Sequence, residues 1–99
     1  HFVSQYPSGP LAANALYWIG IAQATGQSDY RGAAESYQRL LKEFPASPKV
    51  PDALLSLARA QIQMDQKELA KGSLNHLLVR HPLSKAAENG KKLLATLSQ

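Results

Sequence analysis

The chain has 99 residues, of which 44% are apolar and 18% charged, with no cysteine and a formal net charge of +4. This balance belongs to one small globular domain and excludes a disordered tail. The lack of cysteine excludes disulfides and thiolate metal sites and suits either a reducing or an oxidising compartment. The longest apolar run, Ala15 to Ala22, is too short to span a bilayer, and His1-Phe2-Val3-Ser4 has neither the basic start nor the apolar run of a signal peptide. With no initiating Met, the chain reads as a piece of a longer protein. The basic residues all lie from Arg31 onward, whereas the aromatics lie between Phe2 and Phe44. A nucleic-acid face would bring the two together, so the charges read as solvation of helix backs.

Five helices are predicted. The first spans roughly 10–25: Pro10 sits in the first turn, Leu16, Ile19, Gly20 and Gln23 fall at helical spacing, and Gly26 is the stop. The second runs from about Tyr30 to Phe44 behind an Asp29 N-cap, with Ala33, Tyr37, Leu40, Leu41 and Phe44 on one stripe. Pro45 ends it by pushing Phe44 out of the helical region. The third, roughly 48–64, is expected to bury Leu54, Leu57, Ala58 and Ile62. The fourth, roughly 66–80, is expected to bury Leu69, Ala70, Leu74, Leu77 and Leu78 before Pro82. The fifth starts at the N-cap Ser84 and carries Ala87, Leu93, Leu94 and Leu97. No segment alternates with period two, so the predicted fold is all-α.

The punctuation recurs. Pro7, Pro45 and Pro82 are spaced by 38 and 37, and Phe44-Pro45-Ala46-Ser47-Pro48-Lys49 resembles His81-Pro82-Leu83-Ser84-Lys85. Leu16, Ile19 and Gly20 match Leu54, Leu57 and Ala58 at a step of 38, while Ala33, Tyr37 and Leu40 match Ala70, Leu74 and Leu77 at 37. One extra residue therefore lies in the first inter-helix turn, within Gly26–Asp29. A period of this size marks a stack of helix pairs. Phe2, Val3 and Tyr6 match Leu40, Leu41 and Phe44 and read as the end of a preceding second helix. The expected division is 1–7 as that remnant, 8–45 and 46–82 as two full repeats, and 83–99 as a polar capping helix.

These spacings resemble the tetratricopeptide repeat: Leu16-x2-Ile19-Gly20-x2-Gln23, Ala33-x3-Tyr37, Pro45, and again Leu54-x2-Leu57-Ala58-x2-Gln61, Ala70-x3-Leu74, Pro82. Gln23 and Gln61 replace the usual tyrosine, and Trp is missing from the first position of both copies. The strings Leu16-Tyr17-Trp18-Ile19-Gly20 and Ser47-Pro48-Lys49-x-Pro51-Asp52-Ala53-Leu54-Leu55, with Tyr6-Pro7-Ser8, resemble the CpoB (YbgF) family of the Tol–Pal system. That resemblance implies a periplasmic protein with a signal peptide and an N-terminal coiled coil that trimerises. It implies TolA as partner, and coupling of outer-membrane constriction to peptidoglycan synthesis during cell division. The alternatives are a BamD-like outer-membrane assembly lipoprotein, which shares Tyr-Pro-x-Ser linkers, and a structural spacer.

The resemblance further implies a groove lined by the first helix of each pair. Carried over, its residues are Asn14, Tyr17 and Ile21, then Asp52, Leu55 and Arg59, then Asn89, Lys92 and Thr96. The competing reading for Tyr17 and Leu55 is packing against neighbouring helices. The Lys/Asn pattern of carboxylate-clamp domains is lacking, which argues against a C-terminal carboxylate as ligand. Trp18, the lone Trp, is a candidate hot spot or a cover for the preceding helix. His76 and His81, five apart on the fourth predicted helix, lack the third ligand and spacing of a metal site. No nucleophile elbow or phosphate-cradling glycine run appears. The expectation is a protein-binding module, without enzyme activity, cofactor, nucleic-acid ligand or membrane insertion.

Overall fold

A computed structural model describes residues 10–97, and the expectations for Phe2, Val3 and Tyr6 lie outside them. Five helices follow one another: α1 (Pro10–Gly26), α2 (Tyr30–Glu43), α3 (Val50–Gln63), α4 (Lys67–Arg80) and α5 (Lys85–Leu97). The ends have local causes. Asp29 caps α2 by accepting the Gly32 N–H at 3.0 Å, and the Ser84 hydroxyl accepts the Ala87 N–H at 3.0 Å at the start of α5. Phe44 and His81, each before a proline, leave the helical region with nearly the same geometry (φ −133°, ψ 57° and φ −137°, ψ 55°). His81 therefore follows α4 and is not part of the helix with His76. Gly26 ends α1, but the left-handed residue of that turn is Ser28 (φ 52°), matched by Asp65 (φ 61°) after α3.

In both tight turns a long backbone bond reaches back to a glutamine carbonyl. Asp29 N–H donates to the Gln23 carbonyl at 2.7 Å, and Gln66 N–H to the Gln61 carbonyl at 2.8 Å. The second has the reach of a Schellman cap and the first spans one residue more. That is where the register of the sequence puts its extra residue. The glutamine side chains repeat as well: Ser36 Oγ donates to Gln23 Oε1 at 2.8 Å, and Ser73 Oγ to Gln61 Oε1 at 2.8 Å. The amide at the usual tyrosine position thus joins the two helices of each pair by a hydrogen bond.

Each helix packs on the next, and α3 also touches α5 and, more lightly, α1. The core runs along this stack through Ala33, Tyr37, Leu40, Leu54, Leu57, Ala58, Ala70, Leu74, Leu77 and Ala87. Burying a leucine this fully contributes about 1.5–3 kcal/mol. Small residues permit the crossings. A Cβ added to Gly20 would collide with the Tyr37 ring, and one added to Gly90 would lie 2.9 Å from Leu77 Cδ2. Leu69, expected in the core, and Ile19, on the repeat spacing of α1, lie outside it. Leu69 is 57% exposed because it sits about 100° round the helix from the buried stripe Ala70–Leu74–Leu77. Ile19 is 49% exposed, whereas its repeat counterpart Leu57 is 4% exposed.

Gly20→Val should lower stability by about 2 kcal/mol through overpacking against Tyr37. Gly72→Ala, with nothing near the added carbon, should raise it by about 0.5–1 kcal/mol. Urea midpoints at constant m-value check both. For the Gln61–Ser73 bond, Gln61→Met and Ser73→Ala should each cost about 1–3 kcal/mol, and the double variant should cost less than the two losses together. Strict additivity in that cycle would deny the bond an energetic role.

Candidate functional site

The contacts of α3 with both α1 and α5 set the first helices of the pairs in one row. The row whose members approach more closely lines the inside of a curved stack. Pro10–Gly26 contains no charged residue, so α1 brings an apolar and aromatic surface to this concave face. Tyr17 is half-buried there, with Trp18 edge-on to it at 5.1 Å and the Tyr37 ring tilted at 6.2 Å. The linker closes over the pair. Ser47 Oγ accepts the Lys49 N–H at 3.1 Å, and Lys49 Nζ lies 4.8 Å from the Tyr17 ring centroid and 5.6 Å from that of Trp18. Such a cation–π contact contributes about 0.5–2 kcal/mol, depending on desolvation.

Beyond Tyr37 the face opens into a cleft of about 470 Å³ between α1, α2 and α3. Ile21 and Ala24 form one wall, and Tyr30 and Tyr37 come from α2. Ser56, Arg59, Ala60 and Gln63 come from a single face of α3, where spacings of three and four align side chains. Among the described residues Arg59 is the only charged one lining the cleft; it is exposed and forms no ion pair there, the ion pairs being Arg39–Glu43 and Lys71–Glu68.

Of the carried-over groove residues, Ile21 and Arg59 meet in the cleft, and Tyr17 stands at its edge through Tyr37. Asn14 and Asp52 are half-buried without a hydrogen bond or ion pair among the described residues. Leu55 is 7% exposed and belongs to the core, leaving little surface for a partner. Asn89, Lys92 and Thr96 are exposed on α5, away from this cleft. Trp18 is 57% exposed. Its expected cover, Phe2–Tyr6, lies outside the described residues. Sequence reasoning missed Lys49, Ser56 and Gln63. Ser56 and Gln63 share the helical face of Arg59 and could have been found from it, whereas only the folded linker carries Lys49 to Tyr17.

Burial pushes the Tyr37 phenol above its ordinary pKa of 10.0; the Ser56 side-chain hydrogen bond opposes the shift and the Tyr17 phenol adds to it. The native state thus holds the Tyr37 proton to higher pH than the unfolded chain does. Its contribution is complete below pH 10.0 and is lost as pH rises through the native value. Urea midpoints should fall above pH 10.0 in the wild type and fall less steeply in Tyr37→Phe.

Among the described residues no helix is long and apolar enough to cross a membrane. No individual curated protein matches the chain. A family model described as tetratricopeptide repeat matches residues 24–97, which takes in α2 to α5 and the last turn of α1. The Gly20–Tyr37 approach and the Gln23–Ser36 bond give α1 the same relation to α2 that α3 has to α4. The chain belongs to the tetratricopeptide-repeat family.

Proposed function

We propose that this domain is a protein-interaction module of the Tol–Pal cell-envelope system, located in the periplasm and binding TolA. There it helps to coordinate outer-membrane constriction with peptidoglycan synthesis during cell division. Tetratricopeptide-repeat domains are in general non-catalytic and take protein partners, which is the coarse part of this assignment. The finer part rests on two strings that lie far apart in sequence, Leu16-Tyr17-Trp18-Ile19-Gly20 and Ser47-Pro48-Lys49-x-Pro51. The observation that supports it is their meeting in space, where Lys49 lies over the rings of Tyr17 and Trp18. A shared packing purpose links the two strings that carry the resemblance, so they act as one feature. In this reading the longer protein trimerises through an N-terminal coiled coil and presents three such domains. The peptidoglycan synthase machinery is then a second partner within reach.

Isothermal titration of TolA into the 99-residue chain should give saturable binding. Tyr17→Ala should weaken it about tenfold, the loss expected when an aromatic anchor worth about 1.4 kcal/mol is truncated. A thermal melt of the variant checks that the domain still folds. Absence of saturable binding by the wild type would remove TolA as partner and leave a scaffold or spacer role.

A further inference from the structure

We propose that the cleft between α1, α2 and α3 takes an acidic side chain from an extended partner segment, with Arg59 recognising its charge. Ile21 and Ala24 seat a neighbouring apolar side chain of the same segment. This rests on the reading of the domain as a protein-interaction module and specifies the chemistry of its ligand.

Charge complementarity carries the argument. Among the described residues Arg59 is the only charged one lining the cleft, and it has no ion-pair partner there. Asp52 lies seven residues earlier on α3, about 10 Å along the axis. Asp29, between the lining residues Ser28 and Tyr30, turns a carboxylate oxygen to the start of α2, where it accepts the Gly32 N–H at 3.0 Å. The wall from α1 has no charge at all. Lys49, the cation beside the aromatic floor, lies over two aromatic rings. An arriving carboxylate thus meets a guanidinium fork with an open bidentate edge. Ser56 and Gln63, on the same helical face, add a hydroxyl and an amide.

The carboxylate belongs to a side chain within a segment rather than to a chain end. Tyr37 lines the cleft and its ring lies 6.2 Å from that of Tyr17, so the cleft and the aromatic floor form one track. A segment running through fills both.

Selection of random octapeptides displayed at the N-terminus of a phage coat protein, which leaves no peptide C-terminus exposed, tests the assignment. The wild type should enrich Asp or Glu within three residues of Leu, Ile or Val. The best synthetic peptide should lose about tenfold or more in affinity when its acid becomes the amide, and a similar factor against Arg59→Gln. Arg59→Glu should instead enrich Lys or Arg. Because Arg59 is exposed, both variants should melt like the wild type. The same consensus for wild type and Arg59→Glu, an amide peptide that binds equally well, or no enrichment at all would overturn the proposal. TolA binding that persists unchanged in Arg59→Glu would also overturn it while leaving the interaction module intact. A clear acidic consensus without TolA binding would remove only TolA.

Discussion

The Tyr37 ring is the element on which the rest of the molecule depends. It lies in the core with 1% of its surface exposed and rests where only a residue without a side chain, Gly20, lets α1 come close. The ring also meets Tyr17, and its hydroxyl end faces Ser56 on α3. One side chain therefore ties the first helix pair together, docks it on the next pair and forms an edge of the cleft. In the second pair its counterpart is Leu74, fully buried beside Ala58 and Ala70. The aromatic version of the contact adds what leucine lacks: a polar tip at the groove and a ring to carry the Tyr17–Trp18 cluster.

The repeat is held in register by polar devices as much as by apolar area. Gln23 and Gln61 each use the backbone carbonyl to close the inter-helix turn and the side-chain oxygen to accept a serine hydroxyl from the second helix. Against the consensus these glutamines look like departures that weaken the family pattern. In the fold they are a paired substitution, because Ser36 and Ser73 recur with them. The extra residue of the first turn is absorbed by a wider backbone closure while the side-chain bond keeps its 2.8 Å length. A turn tolerates such an insertion because its backbone faces water.

The linkers behave similarly. In both, a residue before proline leaves the helix and a serine three residues later accepts an N–H in the turn that follows. Only the first linker ends in a lysine whose side chain finds aromatic rings to cover. The second delivers α5, which approaches α4 closely through Gly90 and turns Asn89, Lys91 and Lys92 to solvent. Among the described residues the first and last helices of the stack therefore differ. α1 shows Leu11, Trp18 and Ile19 on one side, whereas the outer side of α5 is polar.

Much of this was legible in the chain itself, because it follows from local rules. The five helices come from apolar spacing, their ends from proline, Asp29 and Ser84, and the insertion in the first turn from a step that drops from 38 to 37. Small residues recur at the same steps, Gly20 with Ala58 and Ala33 with Ala70, and all four are buried in the fold. The site was only partly legible. The repeat resemblance carried Ile21 and Arg59 into one groove, but neither it nor helical spacing could tell that Leu55 packs inward or that Leu69 lies outside the core, since one residue of rotation decides burial. Nor could it bring Lys49 to Tyr17, 32 residues earlier. Local sequence determined the elements and their period, which depend on neighbours a few residues away. The tertiary structure alone decided which faces close, which cation stays open to a ligand and which is already covered, because those depend on how whole helices lie against one another.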